Sequence, residues 1–167
     1  MCMCEFRLFA PMNSDINSIP QSPGNYIFVL KEDSALPDIG IEPIYTQYKG
    51  LNVIYTGQTT DSLRKRLSYH YKRTARVSTF RKSIGRLMGY KLIPNSGKTS
   101  FSEYDEVQLS EWLRKNTLCY YMPNYNYDKI EQELINKFSP PINLDKTWHL
   151  TTNIEFRYKL KQLRTNK

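Results

Sequence analysis

The sequence predicts a mixed α and β domain in which a small sheet is covered by helices. Three short runs, NYIFVL (25–30), NVIYTG (52–57) and TLCYYMP (117–123), have the β-branched and aromatic content of buried strands. The segments between and after them repeat apolar residues every three or four positions, which is the helical period. The length of 167 residues suits one domain, because single domains usually run to about 100–200 residues.

Residues 1–21 mix apolar and turn-forming types without a period and end in SIPQSPG, so they read as a leader into the first strand. Residues 31–51 hold two prolines, two glycines and several charges, and suit a long connection with a short extra strand at Pro43–Tyr48. After the second strand, TTDSLRKRLSYHYKR predicts a helix capped by Thr60 or Asp61, with Leu63 and Leu67 on one face. A second, basic helix is expected over Ser78–Tyr90, with Phe80, Ile84, Leu87 and Met88 as its stripe. KLIPNSGK reads as a turn. SEYDEVQLSEWLRKN opens with Ser102 three residues before Asp105, a capping pattern, and predicts a third helix. YDKIEQELINKF predicts another, ended by the prolines of SPPINL, and NIEFRYKLKQL predicts an amphipathic tail helix.

No stretch approaches the roughly 20 apolar residues of a membrane span, and the N-terminus lacks the apolar core of a signal peptide, so an intracellular protein with no membrane partner is expected. Cys2, Cys4 and Cys119 form no paired CxxC spacing and suggest neither a disulfide framework nor a structural zinc site; Cys119 reads as a core residue. The net charge is +8, and eleven Lys or Arg with no Asp or Glu lie between Ser62 and Ser102. The basic excess therefore sits in one segment, the footprint of a surface that meets phosphates. Arg64, Lys65, Lys72, Arg73, Arg76, Arg81, Lys82 and Arg86 are the candidate nucleic-acid-binding residues.

Five fragments in order, GNY (24–26), YTG (55–57), LRKRLSYH (63–70), EQELI (131–135) and PPIN (140–143), resemble the GIY-YIG nuclease family over about residues 22–145. The resemblance implies a mainly antiparallel three-stranded sheet flanked by helices, and catalytic roles for Tyr26, Tyr55, Arg66, His70, Glu131 and Asn143. Arg66 and His70 lie four apart, on one face of a helix, where a guanidinium fork can hold a phosphate beside an imidazole. Arg64 lies about 200° away on the same wheel. Glu131 is implied as the ligand of a divalent metal, Mg²⁺ or Mn²⁺, since a hard ion takes a carboxylate with waters and phosphate oxygens. Tyr26 would help activate a water and Tyr55 with Arg66 would hold the phosphate. A tyrosine's ordinary pKa near 10 calls for a downward shift, which a basic, metal-containing site would supply.

Thr56 and Asn25 stand where the family carries isoleucine, and alternation along a strand puts Thr56 on the face opposite Tyr55. Tyr26 and Tyr55 are 29 residues apart, so the connection at 31–51 is a long insertion, resembling the restriction-endonuclease branch of the family. The expected organisation is a leader (1–21), a nuclease domain (22–145, with the basic helix about 78–90) and a helical tail (146–167). The function implied is a metal-dependent endonuclease acting on double-stranded DNA in restriction or defence. Two other readings stay open: a nucleic-acid-binding module with a silent site, and a repair or recombination nickase for structured DNA. One active site cuts one strand, so double-strand cleavage would call for a homodimer or two visits.

Overall fold

The protein is described by a computed structural model over residues 5–72 and 74–166. Its strands are β1 (Arg7–Phe9), β2 (Gly24–Leu30), β3 (Gln47–Tyr48), β4 (Leu51–Thr59), β5 (Ile93–Asn95), β6 (Lys98–Ser100) and β7 (Thr117–Pro123). Its helices are α1 (Leu63–Lys72), α2 (Thr79–Leu87), α3 (Glu103–Asn116), α4 (Tyr127–Phe138) and α5 (Ile154–Thr165). β2 is buried along its whole length, as a continuous apolar run requires. It forms the centre of a sheet ordered β1-β7-β2-β4-β3, with every pairing antiparallel.

The sheet thus has five strands, where the resemblance implied three. β1 comes from the segment read as a leader: Phe9 pairs with Cys119 of β7 and is buried. β3 is only the end of the strand expected at Pro43–Tyr48, and it covers β4 only at Leu51 and Asn52. Pro43 has no N–H to donate, and the Asn153 side chain takes both backbone groups of Ile44, so the start of that segment joins no ladder. The KLIPNSGK turn is the tip of a second, two-stranded sheet, β5-β6. Ser96 and Gly97 both have positive φ, the conformation a tight two-residue hairpin demands.

Helices cover both faces. Tyr26, Phe28, Leu30, Cys119 and Tyr121 meet apolar residues of α1, α2, α3 and α5, including Leu67, Phe80, Leu109 and Phe156. Ile27, Val29, Val53 and Tyr120 meet Leu134 and Phe138 of α4. A register shift opposite Phe28 and Val29 makes Ile54 the extra residue of β4. Beyond it Thr56 lies opposite Ile27, on the α4 face, with its hydroxyl buried and unpartnered among the described residues.

The first turn of α1 is capped by Ser62, whose hydroxyl accepts from the Lys65 N–H, and not by Thr60 or Asp61. Pro20 and Ser22 carbonyls take the N–H groups of Arg64 and Leu63, so the preceding segment supplies the acceptors that a longer cap would have supplied. α2 starts at Thr79 behind the Ser78 cap and stops at Leu87. Arg81 on this helix is wholly buried. Its guanidinium donates to Glu106 Oε2 at 2.7 and 3.2 Å, to the Glu106 carbonyl at 2.9 Å and to the His70 carbonyl at 3.1 Å. Glu106 Oε1 accepts the N–H groups of Ala75 and Phe101, so the pair ties α1, α2 and α3 together. No helix among the described residues is long and apolar enough to cross a membrane.

Candidate active site

Tyr26 and Tyr55 stand on neighbouring strands with ring centroids 6.4 Å apart, on the face covered by α1 and α2. Tyr26 pairs with Gly57 across β2 and β4, and its phenol lies directly over that glycine, where any Cβ would overlap the ring. A side chain there would push the hydroxyl away, which is the physical reason for glycine two residues after Tyr55. Tyr55 stacks on Phe80 of α2 at 4.8 Å.

His70, on α1, is 2% exposed and links Tyr26 to the cap of α2. Its Nε2 lies 2.9 Å from the Tyr26 hydroxyl and its Nδ1 2.8 Å from Ser78 Oγ, which also accepts the Arg81 N–H. Burial, then Arg66 and Arg81, lower the His70 pKa from 6.5 to about 3, so the ring is neutral at physiological pH. Burial, and then Tyr55, push the Tyr26 phenol well above its ordinary value despite Arg66. The downward shift expected for Tyr26 is therefore absent from the protein alone, because desolvation of the phenolate outweighs the one nearby guanidinium. Tyr55 is raised too, chiefly by burial.

Arg66 acts on Tyr26, Tyr55 and His70 and makes no side-chain hydrogen bond or ion pair among the described residues. Arg64, its rival, instead donates to the carbonyls of Ile19 and Asn17 at 2.8 Å, anchoring the segment before β2. A cavity of about 270 Å³ at the edge of β4 is lined by Tyr55, Gln58, Glu131, Asn143, Lys146 and Arg164, among others. Tyr26, Arg66 and His70 lie outside its lining.

Asn143 closes the β4 edge that β3 leaves uncovered. Its side-chain oxygen accepts the Thr56 N–H and its amide donates to the Thr56 carbonyl, both at 2.9 Å, while the Ile142 N–H reaches the Ile54 carbonyl. Asn143 thus serves as one residue of a missing strand, and both its polar ends are committed to backbone.

Glu131 sits on α4 one turn before Leu134 and Ile135, which places it at the buried side; Glu133 is exposed and Asp128 is tied to Gln58 at 2.7 Å. The Glu131 carboxylate is 13% exposed and accepts from Lys146 Nζ at 2.6 Å. Gln58 lines the same cavity, and its Oε1 is buried with no partner among the described residues. No group of three or more His, Cys, Asp or Glu gathers among those residues. A carboxylate and an amide oxygen are donors that a hard divalent ion accepts, with water and phosphate oxygens making up the rest, so the donor set fits Mg²⁺ or Mn²⁺.

The basic segment is built differently from a free charged face. Arg76 donates to the carbonyls of Asn95 and Ser96, and Arg86 to those of Leu163, Tyr90 and Asn166. Arg81 is neutralised inside the core by Glu106, so its guanidinium never reaches a surface phosphate. Lys65 faces Asp61 at 3.9 Å, Lys72 is exposed, and Arg73 lies outside the described residues, as do Cys2 and Cys4. Lys146, Arg164, Gln58 and Ser78 are the site residues that the motifs did not reveal. None carries a spacing signal, because their places are set by how a turn and α5 pack against β4 and α2.

The depressed His70 pKa predicts acid sensitivity. The unfolded chain takes up a proton near pH 6.5 and the folded chain not until about 3, so His70 favours folding above pH 6.5 and this contribution is lost as pH falls through that window. Urea unfolding at pH 7 and pH 5 is expected to show stability dropping by up to about 1.4 kcal/mol per pH unit, and less steeply in His70→Gln. Equal acid slopes for the two proteins would contradict the assignment.

A family model described as the GIY-YIG catalytic domain matches residues 24–166, reaching past the turn at 140–143 to take in Lys146 and all of α5. No curated protein and no solved structure matches the chain. Family members generally depend on a divalent metal, which the donors at Glu131 and Gln58 suit. With the motif tyrosines side by side and the matched region spanning most of its length, the chain belongs to the GIY-YIG family and is a nuclease that hydrolyses phosphodiester bonds.

Proposed function

We propose that the protein is a divalent-metal-dependent DNA endonuclease of the compact restriction or defence type, with Tyr26, Tyr55, Arg66, His70 and Glu131 as its catalytic residues. The observation that carries this reading is the arrangement around β4. Tyr55 and Glu131 come from distant parts of the chain to line one cavity, and Arg66, without a hydrogen bond or ion pair among the described residues, acts on both motif tyrosines. The insertion between β2 and β4 supports the restriction-like branch, since Leu36, Ile39, Ile41 and Tyr45 pack it onto the core as a built part of the domain.

Phosphodiester hydrolysis calls for an activated water, positive charge at the non-bridging oxygens and stabilisation of the leaving oxygen. Arg66 supplies a guanidinium with all its donors free for the phosphate. Tyr55, stacked on Phe80, orients the phosphate with its hydroxyl. If Ser78 donates to His70 Nδ1, the neutral ring donates from Nε2 to the Tyr26 oxygen, which favours the phenolate form that can take the proton of the attacking water. Asn143 is a positioning residue that holds the β4 edge. A metal held by Glu131, with Gln58 beside it, would supply Lewis-acid stabilisation of the leaving oxygen. Double-strand cleavage by a single site of this kind would proceed through a dimer, which sedimentation with and without DNA would reveal.

The test is incubation with supercoiled plasmid in Mg²⁺, Mn²⁺ or EDTA, beside Glu131→Ala and Tyr26→Phe. Cutting that depends on metal and falls at least about 100-fold in each variant is expected. One observation favours a second reading, a binding module with a silent site: Lys146 already occupies the Glu131 carboxylate at 2.6 Å, so a metal has to displace an ammonium. Plasmid that is retarded on a gel but never cut would select that reading.

A further inference from the structure

Lys82 and Lys98 of the basic segment make no side-chain hydrogen bond or ion pair among the described residues, and a cation from far outside that segment, Arg164, lies near Lys82. Arg164, in the last turn of α5, lines the active-site cavity with Tyr55 and Glu131. Its backbone is clamped from α2, because Arg86 donates to the carbonyls of Leu163 and Asn166 on either side of it. Lys82 on α2 stands within electrostatic range of both Arg164 and Lys98 of β6. None of the three makes a side-chain hydrogen bond or an ion pair among the described residues. Asp145, the one carboxylate that acts on Arg164, is exposed and beyond ion-pair distance.

Neighbouring cations repel one another, and a bound anion relieves that repulsion. The repulsion is visible at Lys82, whose ammonium is lowered by burial first and then by Arg164 and Lys98. A sugar–phosphate backbone is the polyanion that fits a row of separated cations beginning inside a phosphodiesterase site. Thr79 and Ser83 also line the cavity with hydroxyl groups of the kind that position phosphates.

We propose that Arg164, Lys82 and Lys98 form a phosphate track that leads out of the active-site cavity and holds the backbone next to the scissile position. The track rests on the nuclease reading given above, and it assigns to α5 a direct part in substrate binding.

The experiment is fluorescence anisotropy of a labelled DNA duplex with the full chain in EDTA, so that no cleavage is involved, between roughly 50 and 200 mM salt. Each phosphate contact contributes about 0.9 to the slope of log K against log salt. Arg164→Gln is expected to weaken binding roughly fivefold at the lower salt and to reduce the slope by about 1, with Lys82→Gln/Lys98→Gln reducing it further. Arg164→Lys keeps the charge and is expected to keep the slope. An unchanged slope in Arg164→Gln, with wild-type binding that responds to salt, would overturn the track and leave the nuclease reading standing. A slope that falls equally in Arg164→Lys would also overturn it, since geometry and not charge would then be lost. Absence of any duplex binding by the wild type would remove the DNA reading itself. Urea midpoints measured in parallel identify a packing effect, which would likewise count against the track.

Discussion

Arg66→Ala is expected to slow phosphodiester cleavage by roughly 1,000-fold while shifting the thermal midpoint by no more than about 2 °C. The two halves of this expectation have separate causes. Arg66 is half-buried and makes no hydrogen bond or ion pair among the described residues, so its removal orphans no partner in the folded protein. Substitutions without such partners usually cost within about 0.5 kcal/mol. In the reaction, by contrast, a guanidinium at the phosphate stabilises charge that develops in the transition state, where a single donor is worth about 10²–10³ in rate and a catalytic arginine about 10³–10⁵. Arg66→Lys is expected to recover only part of the loss, because an ammonium cannot present two parallel N–H groups to one phosphate. Arg64→Ala is the matching comparison. It should leave chemistry within a few-fold and lower stability instead, since its bonds to Ile19 and Asn17 anchor the segment leading to β2. Plasmid cleavage rates and melting curves for the three variants decide the matter. Equal loss of rate in Arg64→Ala and Arg66→Ala would mean that the helix carries charge and no specific phosphate ligand.

The largest stability effect is expected at Glu106. Glu106→Ala leaves the Arg81 charge buried and unpaired and strips the N–H groups of Ala75 and Phe101 of their acceptor. Breaking a buried pair from one side costs about 3–5 kcal/mol, and each orphaned buried N–H adds about 1–3. A domain of this size is stable by only about 5–15 kcal/mol, so the variant should be near the limit of folding. Urea denaturation measures it directly. Removing both charges with Arg81→Met and Glu106→Leu relieves the unpaired charge but still leaves the two backbone donors and the His70 carbonyl without partners. The double variant is therefore expected to recover some stability but to stay below the wild type. Full recovery would show that the backbone groups find other acceptors and that the ion pair itself carried the effect.

Glu106 also bears on the site. Arg81 bonds the carbonyl of His70, and its own N–H bonds Ser78 Oγ, the partner of His70 Nδ1. The imidazole that touches Tyr26 is thus oriented by a buried ion pair between α2 and α3. Any loss of order there should reach the chemistry before the protein unfolds.

What the sequence by itself determined is local and periodic. The apolar runs at 25–30, 52–57 and 117–123 fall within β2, β4 and β7 because a run of that composition is stable only as a strand buried among others. The spacing of Arg66 and His70 put both on one helix, and the capping pattern at Ser102 formed as its chemistry requires. Tyr26, Tyr55 and Glu131 stand out in the sequence as candidates because each sits inside a short motif, and the structure gives one motif position a steric reason, Gly57 under the Tyr26 ring.

Only the tertiary structure decided how charge and edges are used. Arg64, Arg66 and Arg81 look alike in a basic segment, yet one anchors a loop, one stands unpartnered beside two tyrosines and one is neutralised in the core. A charge says nothing of its partner, and the partners here lie 11 to 47 residues away in the chain. β1 joins the sheet because β7 leaves an edge open, and Asn143 becomes a strand residue because β3 ends early on β4. Lys146 and Arg164 enter the cavity for the same reason. Their neighbours in sequence carry no motif, and only the packing of the 143–146 turn and α5 against β4 and α2 brings them to Glu131 and Tyr55.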